Sequence, residues 1–149
     1  MMQLNFRIKK AILLLFLTFL ISCSNDDDVR YENPYLADIN VALQINLALP
    51  EFSNLQFPGN KYVTYNYGLN GIVVYCLNPS TYTAFELTDP NHVPQNCSRL
   101  TVTGIKAACD CDENEYEIIS GQSTNGQMEF PLKPYRVEKV GNVLQITNY

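Results

Sequence analysis

Two cysteines one residue apart stand in front of a run of acidic residues. Cys109 and Cys111 open the stretch CDCDENEYEIISG, in which five carboxylates follow within eight positions of Cys109. Thiols form disulfides or bind soft metals, whereas carboxylates bind hard cations such as Ca²⁺ or Mg²⁺. The stretch could therefore be a metal site, a disulfide site, or a solvated acidic loop without a ligand. We favour the acidic loop over a carboxylate metal site, because blocks of like charge are commonly solvated.

The remaining reactive side chains are few. The chain has five cysteines and a single histidine, His92. If Cys23 is set aside as a site of lipid attachment, Cys76, Cys97, Cys109 and Cys111 remain, and these allow three disulfide pairings that counting cannot separate. No serine or cysteine nucleophile is placed near His92 by a motif, so we predict that the protein is not an enzyme.

The N-terminus has the pattern of an export signal. Residues 1–22 carry a basic start and then the short apolar run AILLLFLTFLIS, which describes a signal peptide rather than a membrane span. The sequence LISC resembles a bacterial lipobox, which predicts a lipid on Cys23; an ordinary signal peptide with an incidental cysteine is the alternative. Residues 23–34 then form an acidic tether, and its SNDDD resembles the surface-export signal of Bacteroidetes lipoproteins. We expect an outer-membrane anchor and leave the membrane face open.

The net charge of the chain limits the kinds of molecule that it could bind. The formal net charge is −5, and removal of the basic leader makes the remaining chain more acidic. This argues against nucleic acid as a partner. The predicted partner is the membrane, through the lipid anchor, and no protein partner is indicated. Export to an oxidising compartment makes disulfides the default state of the cysteines.

Residues 35–149 have the pattern of one all-β domain. Apolar residues alternate along DINVALQINLALPEF, which indicates a half-buried strand ending at Pro50. NGIVVYCLN and TYTAFELT predict a hairpin, LTVTGIKAAC a second hairpin, and PYRVEKVGNVLQITN a third. No long helix is indicated. We predict an antiparallel β sandwich or small barrel.

Residues 71–146 resemble a Rieske iron–sulfur domain. The second half carries the likeness: CDCDENEYEIISG aligns without a gap with the second cluster motif of that family, and Tyr116 stands at its aromatic position. FPLKPYRVEKVGNVLQI then matches the family's closing segment. Upstream, AFELTDPNH resembles the approach to the first motif. The resemblance implies a Rieske-like fold in which two loops meet at the cluster site.

The resemblance also assigns the positions of the cluster ligands, and most of them hold other residues here. The four positions are Asp89, Asn91, Cys109 and Asp112. A Rieske centre requires two thiolates and two imidazoles, so only the Cys109 position keeps its ligand. His92 is one residue away from a ligand position, and the chain has no second histidine. We therefore expect neither a [2Fe–2S] cluster nor a metal ion.

A disulfide is implied in place of the cluster. In respiratory Rieske proteins the two cluster loops are joined by a bridge whose positions correspond to Cys97 and Cys111. Cys76 and Cys109 would then form a second pair or stay as two thiols. These expectations favour an exported, lipid-anchored Rieske-fold protein with a binding or structural role. The alternatives are a Rieske-type [2Fe–2S] ferredoxin component of electron transfer and a surface Ca²⁺-binding lipoprotein.

Overall fold

A computed structural model describes residues 32–149. The predicted signal peptide, Cys23 and the tether up to residue 31 lie outside the described residues. Within the described part of the chain, no helix has the length and apolar character needed to cross a membrane.

The described residues form nine β-strands and one 3₁₀ helix, Pro50–Gln56. The strands are β1 Ala42–Asn46, β2 Lys61–Thr64, β3 Ile72–Asn78, β4 Thr81–Glu86, β5 Leu100–Thr103, β6 Lys106–Cys109, β7 Glu115–Glu117, β8 Pro134–Val140 and β9 Val143–Thr147. The predicted all-β class is confirmed. Pro50 ends the alternating segment as expected, but the turn of 3₁₀ helix that begins there was not predicted.

All strand pairs are antiparallel and lie in two sheets. The larger sheet has the order β1-β9-β8-β4-β3-β2 and the smaller has the order β5-β6-β7. The three predicted hairpins are confirmed as β3 with β4, β5 with β6 and β8 with β9. The contact between β4 and β8 is short, with only Ala84↔Tyr135 and Phe85↔Pro134 in register. Proline is tolerated there because it is the first residue of its strand.

The apolar side chains divide into two clusters on opposite faces of the larger sheet. Alternate residues of β3 enter different clusters: Val74 and Cys76 pack in one, while Val73 and Tyr75 pack in the other. Coverage of both faces explains why β3 is apolar from Ile72 to Leu77 rather than alternating. The second cluster also receives Leu87, Leu100, Cys109, Tyr116 and Ile118, so it lies beneath the loops that the resemblance marks as the cluster site.

Candidate functional site

Two loops meet at one end of the second apolar cluster. The first, residues 87–99, connects β4 to β5, and its ends are held by the pairing of Thr88 with Arg99. The second, residues 110–114, connects β6 to β7, and it is closed by the amide of Cys109 donating to the carbonyl of Asn114 at 2.8 Å. These two loops, together with Cys109 at the end of β6, supply the side chains that the resemblance assigns to the site.

Cys97 and Cys111 join the loops. Their Sγ atoms are 2.07 Å apart and their Cα atoms 5.2 Å apart, so the structure contains the bridge that the resemblance implied. Cys76 and Cys109 are both buried free thiols. They lie in different apolar clusters and therefore do not pair with each other.

Asp89 is fully buried in the first loop and is held by neutral donors. Its amide donates to the carbonyl of Ser98 at 2.9 Å, which fixes the backbone. Its Oδ1 accepts from the amide of Asn91 at 2.8 Å and from the hydroxyl of Tyr116 at 2.9 Å, and Oδ2 accepts from Nδ2 of Asn114 at 3.0 Å. The carboxylate therefore has a set orientation that leaves Oδ2 facing the second loop.

The side chain of Asn91 points away from the second loop and connects the first loop to the backbone of Phe130. Its Nδ2 donates to the carbonyl of Phe130 at 2.7 Å and to the hydroxyl of Tyr116 at 2.8 Å, and its Oδ1 accepts from the amide of Phe130 at 3.0 Å. Its side-chain oxygen and nitrogen are both used in this way. Asn91 is therefore a structural residue at a position that the resemblance assigns to a ligand.

His92, one residue further on, points into the space between the loops. Its Nε2 lies 3.5 Å from Sγ of Cys109 and 3.9 Å from a carboxylate oxygen of each of Asp89 and Asp112. Donor atoms of these four side chains all lie within 4.8 Å of one another. We call them the donor cluster: Asp89, His92, Cys109 and Asp112. Sequence alignment placed Asn91 here, and a shift of one residue in that alignment was the signal that could have selected His92.

Burial controls the ionisation of the groups at the base of the site. Loss of hydration raises the pKa of the Cys109 thiol to about 12, against an opposing effect of the Cys111 amide, and the neighbouring carboxylates of Asp89 and Asp112 add to the rise. Burial also raises the pKa of Tyr116, and the charge of Asp89 adds to the shift. Both groups are therefore protonated at neutral pH, and Tyr116 acts as a hydrogen-bond donor to Asp89.

These residues do not fit a Rieske cluster. One iron of that centre needs two imidazoles, and the whole chain contains one histidine. The other iron needs two thiolates, and the residue that the resemblance assigns to the first of these positions is Asp89. Asn91 cannot substitute for an imidazole because Phe130 and Tyr116 engage its side chain.

Comparisons with known proteins give similarity of structure only. No protein-family model and no curated protein matches the chain. A solved complex of reduced oxygenase and oxidized ferredoxin in carbazole 1,9a-dioxygenase contains a chain 20% identical, with 72% of this chain and 93% of that chain covered and a TM-score of 0.47. The ferredoxin of carbazole 1,9a-dioxygenase from Nocardioides aromaticivorans IC177 is 11% identical, with coverage of 75% and 100% and a TM-score of 0.45. The Sphingomonas yanoikuyae B1 ferredoxin is 14% identical, with coverage of 62% and 88% and a TM-score of 0.42. At such low identities and TM-scores, these similarities say nothing about a cofactor or partner of this chain.

Proposed function

We propose that this chain is an exported, lipid-anchored protein of Rieske-like fold that has lost its iron–sulfur cluster and has a binding or structural role. The observation that supports this most strongly is the state of Asp89. It is a fully buried carboxylate at the position of a cluster thiolate, and it is already held by three hydrogen bonds from Asn91, Asn114 and Tyr116. That network stabilises the loop without iron.

The disulfide supports the same proposal. An iron–sulfur centre would hold the two loops together through its ligands, and here Cys97–Cys111 supplies a covalent connection between them. The side chain of Asn91 adds a connection from the first loop to Phe130. These contacts connect the two loops through protein groups and agree with the proposed loss of the cluster, while the buried carboxylate of Asp89 remains the observation that carries the proposal.

Export and lipid attachment are supported by the sequence of residues 1–28 and by the oxidised cysteine pair. A signal peptide and a lipobox-like Cys23 predict transfer across the inner membrane and anchoring at the outer membrane. Disulfides persist in such compartments. Labelling with a radioactive fatty acid during expression of the full chain in bacteria tests the anchor: the wild type should incorporate the label, and Cys23→Ser should not.

Reconstitution tests the loss of the cluster. The full chain is expressed and purified with iron and sulfide supplied, and its visible spectrum and iron content are measured. We expect a colourless protein. Absorption bands of a [2Fe–2S] centre, with iron at the stoichiometry of that cluster, would show that the chain is an electron-transfer ferredoxin component instead.

The calcium alternative is disfavoured by the chemistry of the donor cluster. Ca²⁺ takes six to eight oxygen ligands. Only two of the four side chains here are carboxylates, and the others offer an imidazole nitrogen and a sulfur. We therefore do not propose calcium binding at this site.

A further inference from the structure

We propose that the donor cluster binds one divalent transition-metal ion of the zinc type. The sequence led us to expect no metal, and the position of His92 is the structural observation that changes this. The inference rests on the proposed loss of the [2Fe–2S] centre, because that centre would occupy the same pocket. It does not depend on export or on the lipid anchor.

The distances between donor atoms suit a single small ion. Zinc binds sulfur at about 2.3 Å and nitrogen or oxygen at about 2.0–2.2 Å, so the donors of a tetrahedral site are about 3.3–3.6 Å apart. Nε2 of His92 lies 3.5 Å from Sγ of Cys109 and 3.9 Å from Oδ2 of Asp89 and from Oδ1 of Asp112. All donor pairs of the cluster lie within 4.8 Å of one another, so inward side-chain movements on the order of 1 Å complete the tetrahedral geometry.

The histidine ring is oriented as a ligand. Its Nδ1 lies 2.9 Å from the carbonyl oxygen of Val93, a contact that forms a hydrogen bond when Nδ1 carries the proton. The lone pair is then on Nε2, which faces the other donors. Metal-binding histidines commonly donate their other ring N–H to a carbonyl in this way.

The other buried ligands are also supported before any ion binds. The three donors to Asp89 leave its Oδ2 directed at His92. The amide of Cys111 lies 3.4 Å from Sγ of Cys109 and can donate to a thiolate there. Binding of the ion transfers the thiol proton of Cys109 to solvent, and the metal–sulfur bond takes its place.

The charge of the pocket favours a cation. Asp89 and Asp112 both face it, and Cys109 adds a third anion once it is a ligand. Within residues 32–149, the ion pairs made by lysine and arginine lead elsewhere, to Asp38, Glu115 and Glu138. A buried carboxylate without a cationic partner is costly, and a divalent ion between these groups offsets that cost.

The types of donor atom in the cluster select the class of metal, and the exposed side chain of Asp112 leaves the site open to solvent. One sulfur, one nitrogen and two oxygens suit zinc and its neighbours rather than magnesium or calcium. Cys111 lies close to His92 and Cys109 but is bonded to Cys97, which removes it from the ligand set in the oxidised protein. The side chain of Asp112 is 41% exposed, so an ion can enter from solvent on that side.

Cobalt(II) titration tests the proposal, because tetrahedral cobalt is intensely coloured and a thiolate ligand adds a near-ultraviolet charge-transfer band. The probe is Co²⁺ alone, added without reductant to the full chain carrying Cys23→Ser, which removes the thiol outside the described residues. We expect one Co²⁺ to bind per chain, with the visible bands of tetrahedral cobalt and the near-ultraviolet thiolate band. Added Zn²⁺ should displace the cobalt and remove both sets of bands.

Matched variants identify the ligands. Cys109→Ser and His92→Ala should abolish the thiolate band, and Asp112→Asn should weaken cobalt binding at least about tenfold. The control for the thiol is Cys76→Ser, which alters the other buried free cysteine. The control for the carboxylate is Asp110→Asn at a neighbouring exposed acid. Both controls should keep wild-type binding.

X-ray absorption on zinc-loaded wild-type protein needs no variant to fold, and it should show one sulfur neighbour with nitrogen and oxygen neighbours. The proposal is overturned if cobalt gives no thiolate band, if the band survives Cys109→Ser, or if zinc has no sulfur neighbour. Absence of both the cobalt band and an iron–sulfur centre contradicts this inference alone. An iron–sulfur centre in the reconstituted protein contradicts the proposed function.

Discussion

The hydroxyl of Tyr135 donates a 2.7 Å hydrogen bond to Oε2 of Glu86, and both side chains are buried. The same carboxylate accepts from the amides of Leu69 and Asn70 and from the hydroxyl of Thr88. Glu86 ends β4 and Tyr135 lies in β8, so the bond crosses the short contact between the two halves of the larger sheet. The buried carboxyl group of Glu86 is tolerated because both of its oxygens accept hydrogen bonds.

Tyr135→Phe should destabilise the fold. The ring stays in place, but the buried carboxylate loses one donor, which should lower the free energy of unfolding by about 1–3 kcal/mol. Urea denaturation of the full chain measures the change. Tyr67→Phe is the control, because that ring is 40% exposed and its replacement should alter the midpoint little. Equal midpoints for wild type and Tyr135→Phe would show that the bond contributes nothing net.

Removal of the Cys97–Cys111 disulfide should lower the free energy of unfolding by about as much as Tyr135→Phe does. Cys97 and Cys111 are 14 residues apart, and closing a loop of this size stabilises a protein by about 3 kcal/mol through the unfolded chain. A Cys97→Ala, Cys111→Ala double variant should therefore unfold at lower temperature. Reductant should lower the melting temperature of the wild type and leave that of the double variant unchanged. A wild type indifferent to reductant would contradict the assignment.

Gly121 should not accept a side chain. Its φ is +77°, and a Cβ atom there would lie 2.6 Å from the ring of Phe85. Gly121→Ala therefore combines the cost of a left-handed residue, about 1–2 kcal/mol, with that of overpacking, about 1–3 kcal/mol. Gly104→Ala separates the two effects, since Gly104 has φ +61° and open space around it. Calorimetry should show the larger loss for Gly121→Ala; equal losses would exclude the contact with Phe85.

Stability should fall at alkaline pH. Burial raises the pKa of Tyr82 to about 12 from an ordinary value of 10.0, and it also raises the pKa of Tyr116 and of Tyr135. The folded protein therefore keeps protons that the unfolded chain releases. This contribution is complete below pH about 10 and is lost as pH rises through the folded values.

Urea midpoints at pH about 8 and about 11 measure this loss. The midpoint should drop at the higher pH, and Tyr82→Phe should reduce the drop because it removes one of the raised groups. A midpoint that rises between these two values would contradict the direction of the shifts.

The strands could be predicted because their apolar periodicity is a local property. Gln44 is exposed while Leu43 and Ile45 beside it are buried, as alternation requires. The hairpin of β8 and β9 could be predicted because Gly141 and Asn142 form a turn signal between two β-prone segments, and Gly141 has φ +60° in the structure. The 3₁₀ helix was missed because it follows Pro50 over only seven residues without helical periodicity.

The site was only partly predictable because its geometry depends on distant residues. The resemblance identified positions 89, 109 and 112, which the structure brings together. A one-residue shift could place His92 at the site, but the sequence could not decide between Asn91 and His92, because Phe130, 39 residues away, fixes the direction of the Asn91 side chain. No local pattern reports such a contact. The burial of Asp89 could not be predicted either, because two of its hydrogen-bond donors, Asn114 and Tyr116, lie in later segments of the chain.

The pairing of β1 with β9 has a consequence for how the chain acquires its structure during synthesis. Ala42 lies opposite Thr147, and the amide of Val41 donates to Oδ1 of Asn148 at 2.7 Å. Contacts so distant in sequence form late, because the entropy of closing a long loop must be overcome first. The first apolar cluster is therefore incomplete until the last strand has been synthesised and has paired, and Leu43 and Ile45 lack part of their apolar surroundings until then. A chain truncated before β9 would leave both β1 and β8 without their shared partner strand.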